Sequence, residues 1–153
     1  LIILPFAITG WLFAPWVPIS NSELPRLKKL LKLKPGDIFY ELGCGDGRVV
    51  EYIQKTFGCE SIGVELNPFL YLLCLRRKGK YIFGDLFKQN ISRANYVYLF
   101  GLPRALNLKV KNKLERELLK GATVISYGFQ IEGWRPAEVN KLPGKLPIFL
   151  YKM

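Results

Sequence analysis

The chain contains no histidine. This absence excludes hydrolases that use Ser–His–Asp or Cys–His pairs, and it excludes metal sites with imidazole ligands. Cysteine is scarce: Cys44, Cys59 and Cys74 are the three present, and no two of them form a C-x-x-C pair. An odd number at this spacing supports neither a disulfide framework nor a four-cysteine zinc site. We therefore expect no metal, and the free thiols favour a reducing compartment.

Charge is missing from the start of the chain. Residues 1–22 hold no Asp, Glu, Lys or Arg, and they are largely apolar. A stretch of this length suits a short membrane span, and its tryptophans suit an interface belt. Because the chain begins at Leu1 rather than Met, we expect residues 1–17 to be a truncated membrane anchor. Three prolines oppose a continuous helix, so the alternative is an apolar arm that folds over the domain, with Trp16 closing a pocket.

All charged residues lie in 23–153, which we interpret as one domain because 153 residues suit a single core. Lys and Arg number 23 against 12 Asp and Glu, which gives a net charge of +11. This excess favours an anionic partner, such as nucleic acid, an acidic protein or a membrane surface. The basic run Arg26–Lys34 follows the apolar segment. By the positive-inside rule, we expect the domain at the cytoplasmic face of a membrane or, without an anchor, in the cytoplasm.

Hydrophobic periodicity predicts alternating strands and helices. Strands are predicted at 38–42, 61–66, 80–83, 96–100, 122–127 and 147–152, with 138–142 as a further candidate. Helices are predicted from Ser22 to Leu31 and over 48–57, 68–77 and 105–119. This alternation indicates an α/β fold with a mostly parallel sheet and helices on both faces.

Candidate ligand-binding residues follow the predicted strands, since ligands bind at the carboxyl ends of such sheets. The first strand ends in E-L-G-C-G-D-G-R, where Gly43 and Gly45 allow backbone to approach a ligand and a helix start offers free N–H groups. Glu65 ends the second strand and suits the two hydroxyls of a ribose. Asp85 follows the third strand and suits an exocyclic amine. The glycine turn, Glu65 and Asp85 lie at the ends of three successive strands, and together they predict a cofactor that contains a nucleoside.

The glycine spacing restricts the identity of the cofactor. G-x-G-x-G departs from the dinucleotide pattern G-x-G-x-x-G, and no P-loop G-K-[ST] is present. The succession E-L-G-C-G-D-G-R, V-E-L-N and G-D-L-F resembles the class I S-adenosylmethionine-dependent methyltransferases over residues 23–153. That resemblance implies a single Rossmann-like domain and S-adenosylmethionine as cofactor. It implies these cofactor-binding residues: Trp16, Glu41, Gly43, Cys44, Gly45, Asp46, Glu65, Leu66, Asp85, Leu86 and Tyr98. For Asp46 the alternatives are contact with the cofactor's amino group or capping of the helix.

Three further segments narrow the family. P-W-V-P at 15–18, K-L-E-R-E-L at 113–118 and F-Q-I-E-G-W-R-P at 129–136 resemble the broad-specificity archaeal protein-lysine methyltransferases and the ATP synthase c-subunit lysine methyltransferases. The resemblance implies a seven-strand sheet, a protein lysine as methyl acceptor and, in the membrane-bound branch, an apolar anchor. The chain departs from the family at Ile19, where a hydroxyl residue is usual, and in the short interval between Glu65 and Asp85.

A lysine acceptor must lose its proton before it can attack, since its pKa is ordinarily about 10.4. A partly desolvated aromatic slot lowers that pKa by disfavouring the charged form. The candidates for this catalytic slot are Tyr98, Phe100, Phe129 and Trp134, with Pro103 and Tyr127 beside them. No residue is singled out as a general base.

Two other functions remain as alternatives. The basic charge would suit an RNA or DNA methyltransferase, and a small-molecule acceptor is also compatible with the fold. However, the segment after the fourth strand reads Phe100-Gly101-Leu102-Pro103, without the N-P-P-[YF] or Pro-Cys of nucleic-acid enzymes. We therefore favour a monomeric enzyme whose partner is a protein that presents a lysine, and rank nucleic acid below it.

Overall fold

Seven strands form one sheet. The structure is a computed structural model that describes residues 16–100 and 109–153. The strands are β1 (Ile38–Leu42), β2 (Glu60–Glu65), β3 (Lys80–Phe83), β4 (Tyr96–Leu99), β5 (Thr123–Tyr127), β6 (Glu138–Asn140) and β7 (Ile148–Lys152). Their order is β3-β2-β1-β4-β5-β7-β6, with β7 antiparallel to both of its neighbours and the other pairs parallel. The expected mostly parallel seven-strand sheet is confirmed.

Helices cover both faces of the sheet. Within the described residues the α-helices are α1 (Leu24–Leu30), α2 (Arg48–Phe57), α3 (Pro68–Cys74) and α4 (Lys111–Glu117). Successive residues of β4 point to opposite faces. Tyr98 packs in a cluster with α1 and α2 residues, whereas Val97 and Leu99 pack in a second cluster with Leu114 of α4. Both faces are therefore buried, which is the physical reason that the central strands are apolar throughout.

Several element boundaries differ from the expectation. The turn before α1 is capped by Ser20, whose Oγ accepts from the backbone N–H of Ser22 at 3.3 Å, so Ser22 is not the cap. α3 ends at Cys74 because the backbone N–H of Arg77 bonds to the carbonyl of Cys74, a tighter turn than an α-helix. The expected helix over 105–119 is described from Lys111 to Glu117. Pro103 lies outside the described residues.

The described part of the apolar N-terminal segment packs on the domain. Ile19 is buried with α1 and α2 residues, and Arg48 donates to its carbonyl at 3.0 Å. In residues 16–100 and 109–153, no helix combines the length and apolarity needed to cross a bilayer. Residues 1–15, which carry most of the expected anchor, lie outside the described residues.

Candidate active site

One cavity lies at the carboxyl ends of β1, β2 and β4. All eleven predicted cofactor-binding residues line it. Six further lining residues lie in the quoted motifs but were not assigned to the cofactor: Val17, Pro18, Arg48, Val64, Gly84 and Phe87. Ile19 is the departure from the family, and Phe100 is a catalytic candidate. No sequence signal marked the other lining residues as part of a site: Val49, Leu70 and Lys109. The strand-end rule thus located the cavity, because parallel strands bring the residues that follow them to one edge.

The glycine turn after β1 is held against β2. The backbone N–H groups of Gly43 and Cys44 both donate to the carbonyl of Val64, at 2.9 and 3.0 Å. Gly43 and Gly45 have φ values of 78° and 57°, in the left-handed region that glycine tolerates. A Cβ on Gly45 would lie 2.5 Å from Nε1 of Trp16, so the indole occupies the space that the glycine leaves open. Trp16 therefore covers the turn.

Glu65 joins the end of β2 to the glycine turn. Its Oε2 accepts from the backbone N–H of Gly45 at 2.7 Å, and its Oε1 accepts from that of Asn67 at 2.8 Å. Burial raises the pKa of Glu65, although these N–H groups act in the opposite direction. A carboxylate oxygen has more than one lone pair, so it can accept from a further donor such as a ribose hydroxyl.

Glu41 brings a buried carboxyl oxygen without a hydrogen-bond partner among the described residues to the cavity wall. It lies opposite Tyr98 in the β1–β4 pair and is 5% exposed. The oxygen without a partner is Oε2. Burial, together with nearby Cys74 and Asp46, raises the pKa of Glu41 well above its ordinary value. A buried acceptor without a donor is costly, and it fits a cationic group such as the ammonium of a bound amino acid.

Asp46 lies between two arginines. Its carboxylate contacts Arg48 at 2.8 Å and Arg77 at 3.1 Å. Burial opposes ionisation, but the hydrogen bond from Arg48 and the charge of Arg77 leave the pKa of Asp46 lowered. Its Oδ1 also accepts from the backbone N–H of Arg48 at 3.3 Å, at the start of α2. Of its two expected roles, the structure displays the contact with the helix start. Contact with a cofactor amino group stays a prediction.

Arg48 was missed, although the sequence held a signal. A cation at a helix N-terminus is unfavourable toward the helix dipole. Its presence at the first position of α2 therefore called for a compensating partner, which the structure supplies in Asp46 and the carbonyl of Ile19. Through these contacts Arg48 ties the N-terminal segment to the glycine turn.

Asp85 begins a turn that a buried ion pair supports. Its Oδ1 accepts from the backbone N–H of Phe87 at 2.9 Å. Farther along this turn, Lys113 of α4 donates to the carbonyl of Gln89 and to Glu117, whose Oε2 also accepts from the backbone N–H of Ile91 at 3.2 Å. Lys113 is 2% exposed. The ion pair between Lys113 and Glu117 thereby supports the segment that carries Asp85 and Leu86 in the cavity wall.

The structure brings only some of the four expected slot residues to the cavity. Tyr98 and Phe100 line the cavity. Phe129 reaches it indirectly, because its ring stacks on Phe100 with 6.0 Å between centroids.

Trp134 is not brought to the cavity. It packs edge-on against Tyr151 of β7 at 5.4 Å and donates to Glu115 of α4 at 2.8 Å. The reason is that Tyr151 of β7 packs against its ring and Glu115 of α4 accepts from its N–H, and both lie away from the carboxyl ends of the parallel strands. Its assignment to the slot therefore lacks geometric support.

Comparison with known proteins agrees with this geometry. The ANTKMT methyltransferase domain matches residues 41–138. This chain belongs to that family. A protein-lysine N-methyltransferase of Saccharolobus islandicus (strain REY15A) is 35% identical over 137 residues, which cover 84% of each chain. The ATP synthase c-subunit lysine N-methyltransferase of Homo sapiens is 33% identical over 134 residues. That match covers 82% of this chain and 56% of the human protein.

A solved structure extends the agreement to the fold of this ANTKMT-family methyltransferase. The RNA methyltransferase from Salinibacter ruber in complex with S-adenosyl-L-homocysteine superposes with a TM-score of 0.80 and 28% identity, covering 89% of this chain and 93% of that one. The class I methyltransferase fold and the resemblance to lysine methyltransferases are confirmed. The cofactor of this methyltransferase is S-adenosylmethionine, and the unpartnered carboxylate oxygen of Glu41 fits its ammonium group.

Proposed function

We propose that this methyltransferase transfers the methyl group of S-adenosylmethionine to the ε-amino group of a lysine in a protein. The relatives from Saccharolobus islandicus and Homo sapiens, each of which matches more than four fifths of this chain, are both named lysine N-methyltransferases. The observation that carries the proposal is the aromatic wall of the cavity, where Tyr98 and Phe100 lie beside the expected cofactor residues. An apolar wall suits the neutral amine better than the charged ammonium.

The cofactor supplies an activated methyl group, so the protein's work is mainly alignment. In this proposal Glu65 and Asp85 hold the nucleoside, and Glu41 accepts a hydrogen bond from the amino-acid part of the cofactor. Tyr98 is 2% exposed, and burial with nearby Glu41 raises the pKa of its hydroxyl well above the ordinary value. Its phenol therefore stays protonated and can orient an acceptor by hydrogen bonding. We assign no general base, and the lysine proton is released to water.

The test is mass spectrometry of candidate acceptors after incubation with isotope-labelled S-adenosylmethionine. We expect the label on lysine in protein, and much less label from the Glu65→Ala variant when the cofactor concentration is limiting. RNA is the alternative acceptor, favoured by the +11 charge and by the name of the Salinibacter protein. Label on RNA but not on protein would refute the lysine proposal while leaving the cofactor assignment intact.

Membrane association through the N-terminal segment is a second part of this proposal. Trp16 and Val17 line the cavity, so an anchor would be formed by residues 1–15. With residues 23–153 as the catalytic domain, such an anchor would hold a monomeric enzyme at the cytoplasmic face, near acceptor lysines of membrane proteins. Membranes washed with high salt and then carbonate should retain the full chain. Its complete release would refute the anchor without affecting the lysine assignment.

A further inference from the structure

The outward side of α3 is apolar where a surface helix is normally polar. Leu70 and Cys74, four residues apart, face the interior and are buried. The residues that point away from them are also apolar. We call these residues, together with Phe83 at the end of β3, the α3 outer face: Phe69, Leu72, Leu73, Leu75 and Phe83. Leu72, Leu75 and Phe83 are 58%, 57% and 54% exposed.

The α3 outer face is continuous rather than a set of scattered side chains. Tyr71 of α3 contacts Phe83 with 5.3 Å between ring centroids, which joins the helix to β3. β3 is an edge strand, so this face lies at one edge of the sheet. Soluble proteins seldom expose contiguous apolar side chains of this size unless they contact a partner or a membrane.

The charge within the segment that carries this face is of one sign. Between Glu65 and Asp85 the sequence contains no acidic residue, and four basic residues follow the apolar stretch directly: Arg76, Arg77, Lys78 and Lys80. Arg77 is engaged with Asp46 and Glu51, and Lys80 contacts Glu60 at 3.1 Å. Arg76 and Lys78 are exposed. An apolar surface with a basic border complements the interface of an anionic bilayer, whose headgroups attract cations and whose acyl region accepts leucine and phenylalanine.

We propose that the α3 outer face inserts into the interface of an anionic lipid bilayer. This contact is distinct from the N-terminal segment and does not depend on which group accepts the methyl. Leu70, on the inner side of the same helix, lines the cavity. Because a helix is about 10 Å across, insertion would hold the cofactor site close to the headgroups.

The proposal can be tested with a fluorescent probe on the full chain. The native cysteines are no more than 5% exposed, so an introduced surface cysteine reacts selectively. An environment-sensitive dye is placed at Leu72→Cys and, as a matched control, at Leu119→Cys. Leu119 is 67% exposed and precedes β5, which lies four strands from β3 in the sheet.

We expect a shift of the Leu72→Cys probe to shorter wavelength on addition of mixed phosphatidylcholine–phosphatidylglycerol vesicles. Lipids that carry a shallow quencher should reduce this emission. The Leu119→Cys probe should not respond. No shift at position 72, or an equal shift at both positions, would overturn the proposal even if residues 1–15 anchor the chain. A blue-shifted probe before vesicles are added would also overturn it, because another segment or a second copy would then cover the face.

The basic border has its own test. Arg76→Gln with Lys78→Gln, followed through the Leu72→Cys probe, should raise the lipid concentration at half-maximal shift by about tenfold or more, since each cation near an anionic surface contributes to binding. Lys120→Gln with Lys141→Gln removes the same charge elsewhere and should have a smaller effect. Equal effects of the two pairs would refute the assignment of the contact to this face.

Discussion

The carboxylate of Glu65 lies 2.7 Å from the backbone nitrogen of Gly45 and accepts its hydrogen bond. One side chain thus connects the end of β2 to the glycine turn that follows β1. The same carboxylate orders the segment after β2 through the backbone N–H of Asn67. Glu65 therefore sets the shape of the glycine turn, and its contact with the cofactor is a prediction that can be tested separately.

Glu65→Ala should weaken S-adenosylmethionine binding by about 1.5–3 kcal/mol, because it removes a charged acceptor and releases two buried N–H groups. Calorimetric titration measures this directly. Glu138→Ala, at an exposed position of β6, is the control and should bind normally. An unchanged dissociation constant in Glu65→Ala would show that this carboxylate does not hold the ribose.

Gly45→Val should leave the protein folded and abolish cofactor binding. The new Cβ would collide with Trp16, and φ of 57° is unfavourable for valine. Gly144→Val is a matched control, since φ there is 68° but no atom lies within 4 Å of the added Cβ. The control carries backbone strain without the collision and should still bind. Methylation activity in Gly45→Val would contradict the role of the turn.

Glu41 should make the stability of the cofactor-free protein fall with rising pH. Its pKa is raised by burial, so above the ordinary value of 4.5 the native state keeps a proton that the unfolded state has lost. The native state then binds more protons, and the free energy of unfolding decreases as pH rises toward the native pKa. Glu65 contributes in the same direction.

The difference between wild type and Glu41→Gln isolates the contribution of Glu41. Urea unfolding at a series of pH values above 4.5 should show the variant gaining stability relative to the wild type as pH rises. Cofactor binding should also release protons, measured by calorimetry in buffers of different ionisation enthalpy, because an ammonium group beside Glu41 favours its charged form. A pH-independent difference in stability would contradict this account.

Lys113→Met should destabilise the protein by about 1.5–3 kcal/mol, since it removes the buried cation of Glu117 and leaves only the exposed Arg116 beside that carboxylate. Chemical unfolding gives the value, and the exposed Lys120→Met serves as control. The double variant Lys113→Met with Glu117→Leu should recover much of the loss, because no unpaired charge remains. If the double variant is as unstable as the sum of the single variants, the pair is not coupled.

Phe100→Ala and Trp134→Phe should have different effects. Phe100 lines the cavity, so its loss should lower the rate of lysine methylation by about tenfold or more while cofactor affinity changes little. Trp134→Phe loses the hydrogen bond to Glu115 and should cost about 1 kcal/mol of stability with activity retained. Peptide methylation followed by mass spectrometry measures the activities. If Trp134→Phe loses more activity than Phe100→Ala, Trp134 is part of the aromatic slot for the lysine after all.

The sequence alone determined the order of the elements and the place of the site. The run Ile38–Leu42, the glycine turn and the acidic residues Glu65 and Asp85 are local patterns, and each follows from the chemistry of a few adjacent residues. Because parallel strands end at one edge, these patterns were enough to bring the predicted cofactor residues to one cavity.

Tertiary structure decided which side chains meet across long stretches of sequence. The unpartnered oxygen of Glu41 and the contact of Trp134 with Tyr151 depend on strand order and register, which no local pattern specifies. The same holds for Lys113, whose charge gave no sign that it would be buried against Gln89 and Glu117. Pairwise electrostatics and packing act over a few ångströms in space, so they are settled only when the chain has folded and brought those residues together.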